Sequence, residues 1–281
     1  MSGSAPEVTI VVPTRDRHDS LRRMATAIAR LRTERSFELV VVDDGSTPPV
    51  TTADLRGVAE ARVVRGPGRR AAGARNAGLA AGRAPIVLFT DDDTEPDPGW
   101  LDAATDFLRA HPDHVGVEGV VTSRPWDPLY EMSVSTDAPG TYLTCNIAFR
   151  REALDRLGGF DAENFPLHCE DVDLAMRALD LGPIGFEPRM RVVHHPRPLS
   201  LAQAIGRGRL LVNEIALFRR HRARFGRAAR LPAPLFPLLS AVRYVATIAR
   251  TAGLRSPRRA ARFTAFAGAY LANVVAGLVR R

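Results

Sequence analysis

The sequence of 281 residues has little cysteine and almost no acid in its last third. Its two cysteines, Cys145 and Cys169, are too few for a disulfide framework, so we expect a reduced, cytosolic setting. No cationic and apolar leader precedes the first apolar run near residue 8, and we expect no secretory signal. Internal repeats and low-complexity linkers are also lacking. The length suffices for one substantial core with an appendage.

Charge is divided unequally along the chain. Residues 1–187 contain 20 Arg and 30 Asp or Glu, a net −10, whereas residues 188–281 contain 19 Arg and only Glu214, a net +18. The C-terminal arginines alternate with apolar stretches at 235–249 and 263–279 and end in Arg280 and Arg281. No nucleic-acid recognition motif or ordered set of aromatics accompanies them, so we expect no nucleic acid partner. Basic residues beside apolar helices instead suit an anionic membrane surface.

The basic tail allows more than one structure. The stretch 263–279 is close to the minimum of about 17 residues for a spanning helix, and much of it is Ala and Gly. We therefore favour an interfacial helix. The alternative is a helical pair that packs on the preceding domain or on a second subunit, because Leu211, Ile215 and Phe218 show ordinary core spacing. We place the boundary between a domain of residues 1–230 and a helical tail of residues 231–281, at the prolines Pro232, Pro234 and Pro237.

The first part of the chain alternates strand and helix patterns. Residues 8–12 and 38–42 are nearly continuous β-branched runs, each followed by a polar loop, as in buried parallel strands. Between the runs, apolar residues recur at helical spacing: Leu21, Met24, Ala25, Ile28 and Leu31. Asp19 or Ser20 is the expected N-cap of this helix. The pattern predicts a β-α-β unit within an α/β fold.

Three consecutive aspartates, Asp91, Asp92 and Asp93, follow the apolar run at 86–89. Carboxylates clustered at the end of a buried strand need a cation to neutralise them, and Mg²⁺ or Mn²⁺ takes oxygen ligands while keeping positions open for phosphates. An acidic turn or helix cap is the alternative for the triplet alone. Polar loops at 13–17 and 43–46 also follow strands, and open α/β sheets bind ligands beyond the carboxyl ends of their strands. This convergence favours a metal-diphosphate site.

Seven segments in order resemble motifs of the family 2 inverting glycosyltransferases, which have the GT-A fold. They are PTRDR at 13–17, VDDGS at 42–46, ARNAG at 74–78, FTDDD at 89–93, CNIAFRRE at 145–152, GGFD at 158–161 and EDVDL at 170–174. The resemblance covers roughly residues 7–200. It implies a Rossmann-like, mostly parallel sheet flanked by helices. The nucleotide-binding half would be about 1–115 and the acceptor half about 116–200, with a further helix at about 200–225.

The resemblance also implies the metal ligands. Asp91 and Asp93 correspond to the family's Asp-x-Asp motif, with Asp91 toward the ribose and Asp93 toward a divalent Mn²⁺ or Mg²⁺. Asp92 is a further expected contact of the nucleotide. His195 resembles the family's late metal-binding histidine, and its neighbour His194 is the rival candidate.

The acceptor side is implied in the same way. Asp171 resembles the family's general base, which takes the proton of the attacking hydroxyl. Asp171 would open a helix whose buried stripe is Val172, Met176 and Leu179 and whose C-terminal stop is Gly182. Judged alone, an aspartate at a helix start is a good cap, which is the alternative. Glu170 would orient the acceptor, and Asn146, after a Cys145 expected to close a short strand, would contact the acceptor or donor sugar. The segment 158–161 is either a mobile lid or a helix terminator with a turn.

Nucleotide recognition is expected in the first half of the chain. Asp44 resembles the residue that accepts the uracil imide hydrogen bond, and Asp43 is its neighbour in the same motif. Arg75 could reach the base or the diphosphate, with a solvated helix face as the alternative. The remaining expected nucleotide contacts are Pro13, Thr14, Arg15 and Arg17.

The expected activity is the inverting, metal-dependent transfer of a sugar from a nucleotide-diphosphate sugar, preferably a UDP-sugar. The expected acceptor is a lipid-linked or cell-envelope glycan, and the enzyme would be peripheral at the inner face of the plasma membrane. The chain lacks a Gln-x-x-Arg-Trp sequence, so we expect non-processive transfer. The alternatives are transfer to a soluble small molecule and a non-catalytic sugar-nucleotide-binding scaffold at the membrane.

Overall fold

The computed structural model describes residues 5–66, 68, 70–233, 235–251 and 253–279, apart from the side chains of residues 227–229. The expectations that involve Pro234, Arg280 and Arg281 lie outside the described residues. By its internal contacts the chain divides into two compact units. Unit 1 comprises residues 1–123 and 134–195, and unit 2 comprises residues 124–133 and 196–281.

Unit 1 contains most of the strands and the first helices. Its strands are β1 (Val8–Thr14), β2 (Phe37–Asp43), β3 (Ala61–Arg65), β4 (Ile86–Phe89), β5 (Thr94–Pro96), β6 (Gly116–Thr122), β8 (Ile147–Arg150) and β9 (Ile184–His194). Its α-helices are α1 (His18–Ile28), α2 (Arg70–Ala81), α3 (Trp100–Ala110), α4 (Arg151–Leu157) and α5 (Glu170–Ala178).

Within the described residues these eight strands form one sheet, in the order β3-β2-β1-β4-β8-β6-β9-β5. The first four strands in that order are parallel, whereas β8 runs antiparallel to both β4 and β6. β9 is parallel to β6, and β5 is antiparallel to β9. The loops after β1, β2 and β4 therefore leave the sheet at the same edge, as expected for a ligand site of an open α/β sheet.

The predicted β-α-β unit is present. β1 and β2 pair in parallel, and α1 buries Leu21, Met24, Ala25 and Ile28 in the main core of unit 1. The predicted N-cap is wrong, because α1 already begins at His18 and its N-cap position is Arg17. The apolar stripe set the face of this helix correctly, but a cap depends on backbone geometry that the residue types alone did not indicate.

Unit 2 is mostly helical. It contains α6 (Leu201–Arg207), α7 (Val212–Arg220), α8 (Leu235–Thr251) and α9 (Pro257–Val279), with the short antiparallel pair of β7 (Glu131–Met132) and β10 (Arg197–Pro198). Its larger core joins Leu129, Leu199, Ala204 and Leu211 to Ala241, Ile248, Phe266, Tyr270 and Val274. The helix after Ser200, which we placed within the domain of residues 1–230, shares a core with the tail helices. Pro237, an expected boundary residue, is buried in the first turn of α8.

Of the described helices, α9 is long and apolar enough to cross a membrane, with a mean hydropathy of 1.3 over its best window. Core helices of soluble proteins pass the same test of length and composition, so this is weak support for a membrane span.

Candidate active site

The aspartates after β4 lie at the sheet edge and are compensated by arginine. Asp92 and Asp93 are buried. Asp92 accepts hydrogen bonds from Thr14 Oγ1 at 2.7 Å and Arg17 Nη1 at 2.9 Å, and the same Arg17 nitrogen lies 3.5 Å from Asp93 Oδ2. Burial raises the pKa of Asp92 to about 6, although Arg17 opposes the shift. The loop after β1 thus holds the aspartate cluster from one side.

Arg75 holds the cluster from the other side. It lies on α2, which packs closely on β1: a Cβ at Gly78 of this helix would come within 2.4 Å of Val11. The buried guanidinium donates from Nη2 to Asp91 Oδ1 at 2.8 Å and from Nη1 to Glu170 Oε1 at 3.0 Å. The alternative of a solvated helix face is therefore wrong. One guanidinium joins the aspartates after β4 to the start of α5.

α5 presents the candidate base beside this pair. The helix begins at Glu170, after Cys169 in a left-handed conformation with φ 71°, so Asp171 lies in its first turn. Burial and the neighbouring Glu170 raise the pKa of Asp171 to about 6, while the Val172 amide and Arg75 oppose the shift. A carboxyl group with such a pKa is largely ionised at neutral pH and can still accept a proton effectively. The geometry is thus compatible with either a base or a helix-start carboxylate.

The buried face of α5 differs from our expectation. We interpreted Val172, Met176 and Leu179 as the buried stripe, but the apolar residues that α5 buries are Leu174, Ala175 and Ala178. The helix is short, and it also buries two acidic side chains, so hydrophobicity alone misjudged its orientation. The expected Gly182 stop lies beyond the helix, which ends at Ala178.

The segment 158–161 is held against α2 by hydrogen bonds. Asn76, next to Arg75 on α2, accepts from Phe160 N and donates to Phe160 O, both at 2.8 Å. Gly159 has φ +72°, and a Cβ there would lie 2.5 Å from Asn76 Oδ1. The Phe160 ring is buried, with its centroid 5.2 Å from that of Phe89. This placement favours the turn interpretation over the mobile lid.

Arg177 fastens the same segment from α5. Its Nε donates to the buried Asp173 at 2.8 Å, and its terminal nitrogens donate to Leu157 O at 3.1 Å and Gly159 O at 2.9 Å. Sequence reasoning assigned no role to Arg177 or Asn76. The i,i+4 spacing of Asp173 and Arg177 signalled an ion pair on a helix, but its carbonyl partners come from a distant segment.

The two histidines at the end of β9, His194 as its last residue and His195 directly after it, have different surroundings. His194 is buried, and its Nε2 lies 3.5 Å from Asp93 Oδ1. His195 donates its backbone amide to Asp93 O, but its Nε2 lies 2.8 Å from Glu95 Oε1. The structure therefore brings the rival His194, rather than His195, to the Asp93 carboxylate. Successive side chains of an extended backbone point to opposite sides, and this separates the side chains of His194 and His195.

The described residues contain no group of three His, Cys, Asp or Glu side chains already gathered as a metal site. The available donors still fit a divalent cation, because carboxylate oxygens and an imidazole nitrogen are ligands of Mn²⁺ and related ions. Asp93 and His194 are adjacent, whereas Asp91 is held by Arg75. A catalytic metal that takes oxygens from a substrate diphosphate needs few protein ligands, and this pair meets that need.

The expected nucleotide residues hold loops of the sheet edge together. Asp44 accepts from the amides of Gly68 at 2.8 Å and Arg70 at 3.0 Å. Asp43 caps the turn after β2. Burial would raise the pKa of Asp43, but hydrogen bonds from Ser46 and the Val50 amide, with the charge of Arg65, lower it overall. The base contact expected of Asp44 stays a prediction.

The remaining expected contacts lie at the end of β1, on the loop after it and directly before β8. Pro13 is partly buried and Arg15 is exposed. Asn146 is buried: it accepts from Trp100 Nε1 at 2.8 Å and donates to the carbonyls of Val120 and Met190 at 2.9 Å. Its side chain thus supports the sheet in this structure, and a sugar contact stays a prediction that the geometry does not favour. Cys145 does not close a strand, because β8 begins at Ile147.

Solved structures support the fold. A mannosyltransferase from Pyrobaculum calidifontis, in complex with GDP-Man and Mn²⁺, is 23% identical with a TM-score of 0.63, covering 98% of this chain and 88% of that one. Staphylococcus aureus TarS 1–349 in complex with UDP-GlcNAc is 15% identical with a TM-score of 0.57, covering 96% and 91%. These likenesses confirm the GT-A fold.

Sequence relatives are more specific. The pre-mycofactocin glycosyltransferase of Mycobacterium tuberculosis is 33% identical over 211 residues, or 68% of this chain and 43% of the relative. The O-antigen biosynthesis protein RfbC of Myxococcus xanthus is 29% identical over 232 residues, or 71% of this chain and 18% of the relative. The chain thus spans less than half the length of either relative. The sequence model of glycosyl transferase family 2 matches residues 9–162, more than half of the chain, and this protein belongs to that family.

Proposed function

We propose that this protein transfers a sugar, with inversion, from a nucleotide-diphosphate sugar to an acceptor hydroxyl, and that it needs a divalent metal ion. The observation that carries the proposal is the bridge made by Arg75. One buried guanidinium contacts Asp91 of the aspartate cluster and Glu170, the neighbour of the candidate base Asp171. The donor-side carboxylates and the residue next to the candidate base thus share one guanidinium. This supports the close approach of donor and acceptor that direct displacement at an anomeric carbon needs.

On the donor side, Asp93 and His194 would hold the metal ion, with Asp91 as a further candidate ligand. A bound Mn²⁺ or Mg²⁺ would stabilise the negative charge that builds on the leaving diphosphate oxygens. Arg17 and Arg75 already offset part of the negative charge of the aspartate cluster. Either arginine could reach a phosphate oxygen once the diphosphate competes for it, since guanidinium binds phosphate well.

On the acceptor side, Asp171 would accept the proton of the attacking hydroxyl. The oxygen attacks the anomeric carbon from the face opposite the diphosphate, and the bond to the diphosphate oxygen breaks. Inversion follows from this single displacement. The pKa of about 6 for Asp171, raised by burial, supports a base that works at neutral pH. Glu170, which accepts a hydrogen bond from Arg75, would orient the acceptor.

The choice of donor base rests on the loops after β1 and β2. We favour uridine, with Asp44 as the partner of the base and with Pro13, Thr14, Arg15 and Asp43 around it. One of the solved structures is a complex with GDP-Man and the other a complex with UDP-GlcNAc, so the fold accommodates both bases. A donor panel must therefore include guanosine and uridine sugars.

We propose a lipid-linked or cell-envelope glycan as the acceptor, extended non-processively by an enzyme peripheral to the inner face of the plasma membrane. The name of the Myxococcus xanthus relative, which refers to O-antigen biosynthesis, supports a glycan. The name of the Mycobacterium tuberculosis relative refers instead to pre-mycofactocin, and it favours the second candidate, a soluble small-molecule acceptor.

The test uses the full chain with a panel of UDP- and GDP-sugars, with Mn²⁺ or Mg²⁺, and follows release of the nucleoside diphosphate. We expect slow release with one donor and faster release when a lipid extract or a glycan acceptor is added. The anomeric configuration of the product, read by NMR, checks inversion. Asp155→Asn, an exposed carboxylate on α4, is the matched control for variants of the site. Absence of release with every donor would contradict the proposal and favour a non-catalytic scaffold.

A further inference from the structure

One face of α8 combines exposed apolar side chains with arginine. The helix buries Pro237, Ala241 and Ile248 in unit 2. On the other side Leu235, Leu239 and Val242 are 43%, 54% and 56% exposed. At 3.6 residues per turn these three residues span an arc of only about 60°, directed away from the buried side chains. We call them the α8 stripe. A helix on the surface of a soluble domain normally presents polar residues there.

Arginines flank the α8 stripe. Arg243 and Arg250 are exposed and lie within about 80° of its centre on the helical wheel. Arg255 and Arg258, in the connection to α9 and in its first turn, are exposed as well. Residues 196–281 contain 17 Arg and one acidic residue, Glu214. The surface around the α8 stripe is thus apolar at its centre and strongly positive at its margin.

The charges discriminate among the partners that such a surface could meet. A symmetric interface with a second copy would bring the same arginines face to face, which is repulsive. Nucleic acid would match the positive charge but would leave the leucines without apolar contacts. An anionic bilayer satisfies both features, because its headgroups attract arginine and its acyl boundary accepts an apolar helix face.

From this match we infer that the α8 stripe is a membrane-docking surface, which inserts Leu235, Leu239 and Val242 at the acyl boundary of an anionic bilayer. Arg243 and Arg250 contact the lipid phosphates beside it. This inference rests on the peripheral membrane location given under the proposed function and names the surface that would provide it. It does not depend on the transfer reaction, so vesicle binding and sugar transfer can fail separately.

The inference also changes which helix meets the membrane. We expected residues 263–279 to form the interfacial segment, but α9 buries Phe266, Tyr270 and Val274 in the core of unit 2. Much of its exposed face carries small residues such as Ala265, Gly268 and Ala272. Insertion of α9 would remove its large side chains from that core. Deleting residues 231–281 would likewise take away half of the core, so point substitutions are the better test.

The first experiment is flotation of the full-length protein with vesicles of phosphatidylcholine alone or mixed with phosphatidylglycerol, at low and high salt. We expect binding to the anionic vesicles and a part of it that resists salt. Leu235→Gln with Leu239→Gln should weaken the binding at least about tenfold, because the apolar contact is lost. The matched control is Val275→Gln with Val279→Gln on α9, residues that are 50% and 81% exposed, and it should float like the parent protein.

The second experiment uses tryptophan fluorescence to measure insertion of the α8 stripe into the bilayer. Leu239→Trp should shift its fluorescence to the blue and resist aqueous quenchers when anionic vesicles are added, whereas Val275→Trp should not. Arg243→Gln and Arg250→Gln should each weaken the binding by about fivefold at low salt. Failure to float on anionic vesicles, or equal loss with the α8 and α9 variants, would overturn the inference. A dimer in light scattering that Leu239→Gln dissociates would assign the α8 stripe to a second copy instead.

Discussion

Arginine serves two different purposes in the two units. In unit 1, Arg17, Arg75 and Arg177 each meet buried carboxylates, and each joins elements that are far apart in sequence. In unit 2 the many arginines of residues 196–281 have a single acidic residue among them, and those around the α8 stripe are exposed. Arginine therefore organises the candidate active site in unit 1 and supplies the positive margin of the α8 stripe in unit 2. The difference lies in the acidic residues that surround it.

The largest expected effect tests the aspartate cluster of unit 1. Asp93→Ala should reduce transfer to background, by at least about 10³-fold, because the proposed metal ion would lose a carboxylate ligand and the leaving diphosphate would then lack the positive charge of that ion. Chelation should do the same to the parent protein. Flotation on anionic vesicles should be unchanged, which would separate the two units. Full transfer activity in excess chelator would contradict the metal role.

The next effect concerns the base. Asp171→Asn should lower kcat by about 10²–10⁴-fold with little change in donor affinity, because the amide keeps the shape but accepts no proton. In the parent protein, kcat/KM should fall as the pH drops below about 6, the raised pKa of Asp171. Stability should respond to pH in the opposite direction to activity. Asp171 has a higher pKa in the folded protein than in the unfolded chain, so its ionised form destabilises the fold above pH 6. Lowering the pH from about 6 toward 4 protonates Asp171 and should therefore raise its contribution to the free energy of unfolding. Equal loss of donor binding in the variant would indicate a structural role.

A stability measurement compares buried and exposed arginines directly. Arg75→Gln should lower the free energy of unfolding by about 3 kcal/mol, because Glu170 and Asp91 lose their shared cation. Arg189→Gln is the matched control, since the Arg189 side chain is 72% exposed and pairs with Glu187. It should change the free energy by less than about 1 kcal/mol. Urea unfolding followed by circular dichroism gives both free energies. Equal losses in the two variants would contradict the expected difference between buried and exposed arginines.

A smaller effect is expected at the fastened segment 158–161. Asn76→Ala should lower kcat by about 10- to 100-fold with the donor KM little changed, because α2 loses its hydrogen bonds to Phe160, in the segment that Arg177 of α5 contacts at Gly159. Arg177→Lys keeps the ion pair with Asp173 but loses the hydrogen bonds to the two carbonyls. Its kcat should lie between those of the parent protein and Asn76→Ala. Asn164→Ala is the control, since Asn164 bonds Asp161 in the same region but is exposed. A rise in KM without loss of kcat would argue against positioning.

The smallest effect belongs to unit 2. Arg243→Gln with Arg250→Gln should change the free energy of unfolding by less than about 0.5 kcal/mol, because exposed side chains without buried partners contribute little to folding. The release of nucleoside diphosphate in solution should also be unchanged. A large loss of stability would show that these arginines pack like those of unit 1.

Much of unit 1 was predictable from residue types. β-branched runs indicated β1 and β2, the apolar stripe indicated α1, and polar residues after successive parallel strands indicated the edge where ligands bind. These features are local, because strand and helix periodicities and the direction of parallel strands follow from a few neighbouring residues. Family motifs then pointed to Asp91, Asp93 and Asp171 at that edge.

Other features depend on contacts between distant segments. The choice of His194 beside Asp93, the bridge from Arg75 to Glu170 and the carbonyl partners of Arg177 each join elements that folding alone brings together. The sequence by itself determined the family, the parallel strands, the acidic edge and the basic tail. Ordered motifs, composition and the spacing of apolar residues are enough to indicate these features. Only the tertiary structure decided that α9 packs Phe266, Tyr270 and Val274 into the core of unit 2 and that α8 carries the exposed stripe. Which face of an apolar helix is buried depends on the helices packed against it.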